Sequence, residues 1–225
     1  MELAIDTSTD FASIALSKEG ETIAELTWHP GQNHTVNLVP NIIHMLNQNK
    51  LNPQSLSAVF VAKGPGSFNG LRVGISTAKG LAFALNIPLV GISTLEVEAY
   101  PFAFTKLPLR PIHNAGREEI ATALYQQNDD WQCLVGEYIT TADVLCQQIK
   151  SETLFCGEIP PPVAQQLKQR LGKQATIPDP TARLRHASYL ATLGWQRLTE
   201  DNKDNPTNLQ PLYLRQPSIT QRKIK

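Results

Sequence analysis

The chain has no excess of charge of either sign. Its 20 basic and 20 acidic side chains cancel over 225 residues, so no whole-molecule field draws it toward nucleic acid or an anionic membrane. Cysteine is sparse. Cys133, Cys146 and Cys156 are odd in number and lack Cys-x-x-Cys spacing, which argues against a disulfide framework and fits reduced thiols. No run approaches the ~18 apolar residues that span a bilayer. Residues 1–6 have neither a basic region nor a long apolar stretch, so a signal peptide is not expected and a cytoplasmic location is. The glycosylation sequon at Asn33-His34-Thr35 is then a chance match. His-Glu-x-x-His is absent, which removes the zinc-peptidase signature, and no glycine-rich turn ends in Gly-Lys-Ser/Thr, which removes the P-loop.

What is present is ordinary globular material, 41% hydrophobic and 18% charged. Residues 3–6, 12–16 and 22–26 predict three strands of an antiparallel meander with a polar first turn. Residues 33–49 predict a helix capped by Asn33 or Thr35, with Val36, Val39, Ile42, Ile43 and Leu46 on one face. Pro40 predicts a kink or a late start. Strands follow at 58–62 and 88–92, and Ser93 with Glu96 reads as a capping box. After Pro101 the pattern partly restarts. A hairpin is predicted over 110–114 and 119–125, a helix over 140–150 begun by Thr140 or Thr141, and a strand over 153–156. Helices over 163–171 and 187–198 and a polar loop over 201–208 complete the chain. Strands first and helix–strand alternation after them make the class α/β, divided into lobes at residues 1–105 and 106–225.

The most informative stretch is Lys63-Gly64-Pro65-Gly66-Ser67 and the helix it opens, which runs to Asn86. Gly70, Gly74, Ala78 and Ala82 recur every four residues as a stripe of almost no side chain, with Leu71 and Ile75 beside it. Each glycine inside a helix costs about 1 kcal/mol relative to alanine, so something is expected to come very close. The thin face could pack on the chain's own sheet or admit another helix. The second is favoured, with Phe68, Gly70, Leu71, Gly74, Ile75, Ala78 and Ala82 as partner-binding residues, completed by Val36, Val39 and Ile43 of the preceding helix. A leucine at Gly74 is then expected to block docking without unfolding the chain. Gly64-Pro65-Gly66-Ser67 could cradle phosphate at a helix N-terminus, but Lys63 precedes the glycines, and a tight strand-to-helix turn is the preferred reading.

Ile5-Asp6-Thr7-Ser8-Thr9 resembles the first phosphate loop of the actin, sugar kinase and heat-shock chaperone superfamily. The stretch from Lys63 to Ala82, with Pro88-Leu89-Val90-Gly91-Ile92-Ser93-Thr94-Leu95, closely resembles the TsaB (YeaZ) family. Pro211-Leu212-Tyr213-Leu214-Arg215 resembles that family's closing segment. The resemblance implies a two-lobed actin-like (ASKHA, ribonuclease H-like) fold and a non-catalytic scaffold role. In that role the chain helps form the threonylcarbamoyl group on adenosine 37 of tRNAs reading codons that begin with A. The implied partners are a TsaD-type catalytic subunit and a TsaE-type ATPase, with a homodimer when alone, tRNA reached through the complex, and no membrane. ATP and metal are expected on the partner subunits and none on this chain.

Asp6, Thr7 and Ser8 are the candidate nucleotide-binding residues, and for Asp6 a role bonding turn amides at the strand end is favoured. Where the family shows an aspartate at the start of the second lobe, this chain has His113-Asn114, and an amide is a poorer ligand for a hard cation. Gly157 is followed by Glu158 without a second glycine. His34 has Leu38 four residues on, so a metal pair is not expected there. Arg215, Arg222, Lys223 and Lys225 make the end basic, read as a solvated tail with a tRNA phosphate contact as the minority alternative. The competing class is an ATP-dependent small-molecule kinase or hydrolase of the same superfamily.

Overall fold

The computed structural model describes residues 1–29, 31 and 34–215, with the side chains of residues 34 and 35 outside the description. Strands β1 (Glu2–Asp6), β2 (Ala12–Lys18), β3 (Glu21–Trp28), β4 (Ala58–Ala62) and β5 (Leu89–Ile92) form one sheet. Strands β6 (Leu109–Gly116), β7 (Glu119–Gln127), β8 (Trp131–Thr141), β9 (Thr153–Gly157) and β10 (Ala175–Thr176) form the other. The first is ordered β3-β2-β1-β4-β5 and the second β8-β7-β6-β9-β10, so one topology occurs twice. In each, a three-strand antiparallel meander is extended by two parallel strands. This is the expected two-lobed actin-like α/β fold.

Among the described residues, six α-helices cover the sheets: α1 (His34–Gln48), α2 (Phe68–Leu85), α3 (Thr94–Ala99), α4 (Ala142–Gln148), α5 (Pro161–Leu171) and α6 (Ala187–Thr199). β1 is buried along its whole length, so its period-two alternation selects between two apolar partners instead of between core and water. Leu3 and Ile5 pack with Leu38, Ile42 and Ile75 of α1 and α2. Ala4, with Ala15 and Phe60, packs under Leu190 and Ala191 of α6. The small residues let α6 sit close, and a Cβ at Gly194 would strike the Phe60 ring.

The third helix of each lobe crosses to the other. Leu95 and Ala99 of α3 pack with Leu109, Tyr125 and Leu154 of the second sheet, while α6 covers the first. A boundary at residue 105 therefore separates the sheets but not the packing: the segment 106–225 gives its last helix to the first lobe. α4 and α5 cover the far face of the second sheet through Leu145, Leu167 and Leu171, against Ile120 and Phe155.

Three local features depart from expectation. β8 is an eleven-residue strand where no strand is predicted, and it completes the second meander. Pro40 lies inside α1 without ending it; burial of Leu38, Ile42, Met45 and Leu46 outweighs one missing backbone hydrogen bond. Of the proposed caps of that helix, Asn33 and the Thr35 side chain lie outside the described residues. The Ser93–Glu96 capping box does not form, because Glu96 accepts from Trp131 Nε1 at 3.1 Å and from Arg197 at 2.5 Å. Among the described residues, no helix is long and apolar enough to cross a membrane.

Candidate functional site

The turn after β1 is closed from three sides. Asp6 is fully buried; its Oδ1 accepts from the Ser8 amide at 2.9 Å and the Ser8 hydroxyl at 2.5 Å, and its Oδ2 accepts from Arg185 Nη1 at 2.8 Å. Arg185, from the segment before α6, also donates to Ser8 Oγ at 3.2 Å and to the Glu98 carboxylate through Nη2. Burial pushes the Glu98 carboxyl up to about 8, against the opposing pull of Arg185. Burial also opposes the Arg185 charge, but Asp6 and Glu98 outweigh it and hold its pKa above the ordinary arginine value. The favoured role for Asp6, bonding turn groups at a strand end, describes its Ser8 contacts; Arg185 was outside that reading.

The third wall is α2. The Ser67 amide donates to the Ser8 carbonyl at 2.6 Å, and Thr7 Oγ1 donates to the Gly70 carbonyl at 2.7 Å. A Cβ at Gly70 would fall on the Thr7 carbonyl oxygen, and one at Gly74 on Thr7 Oγ1. The glycines are thus required by the chain's own first turn. Gly70, Leu71, Gly74, Ile75, Ala78 and Ala82 are all buried within this molecule, against Thr7 and the first sheet. That corrects their placement on a partner-facing stripe. It also reverses the expected outcome of a leucine at Gly74, which would collide with Thr7 and disrupt the fold.

The remaining candidates do face solvent. Val36, Val39 and Ile43 on α1 are 68%, 50% and 41% exposed, and Phe83 at the end of α2 is 85% exposed. Between them the outer side of α2 carries Val73, Ser76, Thr77, Gly80 and Ala84, half-buried or exposed. A Cβ at Gly80 would meet nothing within 4 Å. A second thin stripe therefore lies on the solvent side of α2, beside the apolar residues of α1, and sequence reasoning missed it. Its signal was present in the same helical period, one step around the helix. Phe68 is turned the other way, its ring 5.2 Å from that of Tyr213.

In the second lobe the turn after β6 is built differently. Asn114 Oδ1 accepts from the Gly116 amide at 2.9 Å. His113 stands 3.5 Å from Glu158 with its pKa lowered by burial. Gly157, at φ +81°, leaves the space that Glu98 fills. The His34 side chain lies outside the described residues, as do Arg222, Lys223 and Lys225. Arg215 is described: it donates to the Ala115 carbonyl at 3.4 Å and pairs with Glu119.

Comparison with known proteins follows this geometry. Residues 29–220 match the profile of the TsaD family, tRNA N6-adenosine threonylcarbamoyltransferase. The tRNA threonylcarbamoyladenosine biosynthesis protein TsaB of Bacillus subtilis is 34% identical over 95% of this chain and 93% of its own length. The structure of YeaZ from Pseudomonas aeruginosa superposes with a TM-score of 0.78 at 24% identity, covering 94% of this chain and 99% of that one. The Clostridium difficile activator of 2-hydroxyisocaproyl-CoA dehydratase, solved with bound ADPNP, superposes with a TM-score of 0.51 at 12% identity. It covers 89% of this chain and 96% of its own, a likeness of fold alone.

Proposed function

This chain belongs to the TsaB (YeaZ) family of tRNA threonylcarbamoyladenosine biosynthesis proteins, and on that premise we propose that it is a non-catalytic scaffold subunit. It docks a TsaD-type catalytic subunit and works with a TsaE-type ATPase in the cytoplasm to form the threonylcarbamoyl group on adenosine 37 of tRNA. The observation that carries this reading is the face formed by Val36, Val39, Ile43 and the outer side of α2. It pairs exposed apolar side chains with an exposed glycine in a helix, a combination that admits a second helix at close range. Alone, the chain uses the same face to pair with a second copy.

The residues of the first turn support a structural role over nucleotide chemistry. The metal of a bound nucleotide needs a carboxylate oxygen free to coordinate it or to accept from its water, and both oxygens of Asp6 are engaged by Ser8 and Arg185. The space beside Gly157 is taken by Glu98, and the second-lobe position carries the neutral Asn114. These residues do not fit a nucleotide and its metal, which supports the reading that places ATP and metal on the partner subunits, and the kinase or hydrolase reading draws no support from the site.

The test is Val39→Asp, an exposed substitution that leaves the core intact. Co-purification with the TsaD-type subunit should weaken by about tenfold or more, as for a central interface residue, and the isolated chain should become monomeric. Unchanged co-purification by a folded Val39→Asp chain sinks the docking face.

A further inference from the structure

A groove of about 480 Å³ opens between the lobes, beneath residues 212–215. That size falls among sites for small molecules, roughly 300–1,000 Å³. Its walls divide by chemistry. Pro65 and Phe68 of the first lobe and Tyr213 of the closing segment supply flat apolar surface; Asn114 and Arg117 of the β6–β7 hairpin, with Arg215, supply donors. Among the described residues, no aspartate or glutamate lines it.

The aromatic wall is held in place. The Phe68 and Tyr213 rings are 5.2 Å apart at 31°. The Arg72 guanidinium lies 3.8 Å from the centre of the Phe68 ring and donates from Nε to the Tyr213 hydroxyl at 3.3 Å. The backbone of the same segment is pinned too, since the Leu212 amide donates to the Lys63 carbonyl at 2.7 Å. Opposite, Gly116, Arg117 and Glu118 all have positive φ, at 74°, 55° and 61°. A non-glycine residue there costs on the order of 1–3 kcal/mol, so the fold holds a strained turn where it carries Arg117 to the groove. Asn114 Oδ1 is occupied by the Gly116 amide, which leaves its NH2 group as the donor. Arg215 is committed to Glu119, which leaves an incoming anion to Arg117.

We infer that this groove receives an unpaired nucleotide of an RNA strand, its base against Phe68 and Tyr213 and its phosphate at Arg117. Aromatic faces beside a guanidinium, with no acidic wall, are the chemistry of single-strand binding. A strand is favoured over a free nucleotide because the sequence that follows Arg215 is cationic. The ten residues after Arg215 include Arg222, Lys223 and Lys225 and no acidic residue, and such charges act on a polyanion far more than on one phosphate. The inference rests on the family's RNA substrate, but it places an RNA contact on this chain, whereas the docking reading needs none.

Fluorescence anisotropy of the full chain, with a labelled RNA stem-loop and with the same strand fully paired, tests it. The open loop should bind at least tenfold more tightly than the paired strand. Tyr213→Leu should weaken it by about 5- to 100-fold, the range of one lost base stack, and Arg117→Ala by about tenfold or more through its lost charge-assisted phosphate contact. Circular dichroism confirms that each variant is folded. No saturable binding, equal binding of the paired strand, or unaltered binding by both groove variants would overturn the inference. AMP binding more tightly than the loop would overturn it as well, by reassigning the groove to a free nucleotide. Each of these outcomes leaves co-purification of the native chain with its catalytic partner unaffected, so the two readings fail separately.

Discussion

The two lobes share a strand order and put the turn after their first strand to opposite uses. After β1, Asp6, Thr7 and Ser8 are buried and locked by Arg185 and the glycine face of α2. At the end of β6, residues 114–117 stand at the edge of an open groove, and Arg117 and Glu118 are strained at positive φ instead of packed. Duplicating a topology did not duplicate a site. One copy has been filled until it is core, and the other has kept its concavity. What separates them is where the compensating charge sits: a buried guanidinium closes the first turn, and a surface guanidinium flanks the second.

Breaking the closed turn should have the largest effect. Gly74→Leu forces a side chain onto the Thr7 hydroxyl and toward Ile5 of the first sheet, and this overpacking should cost more than about 3 kcal/mol. Thermal unfolding of the purified variant, or its failure to accumulate as soluble protein, reads this out; a near-native melting temperature would show that the first turn is not sealed as described. Next comes the pair of guanidiniums. Arg185→Ala strands the buried Asp6 carboxylate in the core and should cost about 3–5 kcal/mol. Arg215→Ala, at a partly exposed pair, should cost less than about 1 kcal/mol. Equal losses in urea titrations would erase the contrast between the lobes.

The finest test is pH. Glu98 has its folded pKa raised to about 8 by burial, from an ordinary value of 4.5. The folded state therefore holds a proton that the unfolded state has released between those values. Its contribution to stability is complete below pH 4.5 and is lost as pH rises through 8. The slope in that window is at most about 1.4 kcal/mol per pH unit. Glu98→Gln should flatten the decline relative to the native chain, and parallel curves would remove Glu98 as its source.

Much of the fold was legible. β1, β4 and β5 announce themselves as short apolar runs, and the glycine-rich turn before α2 gives a tight strand-to-helix connection. β8 was not, because Gly136 and Glu137 interrupt the run from Trp131 to Ile139, and pairing with β7 overrides that local break. The site was half legible. The periodicity of α2 shows a thin face, yet both of its sides are built of small residues, and only the position of Thr7 decides which turns inward. Arg185 was out of reach altogether: it lies 179 residues from Asp6, and nothing local marks an arginine before a helix as the partner of a first-strand aspartate.

The crossing of α3 and α6 has a consequence for how the molecule is made. Synthesis proceeds from the N-terminus, and domains ordinarily fold as they emerge. Here the face of the first sheet bearing Ala4, Ala15 and Phe60 has no cover until α6 leaves the ribosome, after every strand of both sheets has been translated. The earliest-made half must therefore wait, with an adhesive surface bare, for nearly the last helix to arrive. Truncation before residue 187 should therefore leave that surface bare and cost the chain its solubility, which the soluble fraction of the shortened protein would read out.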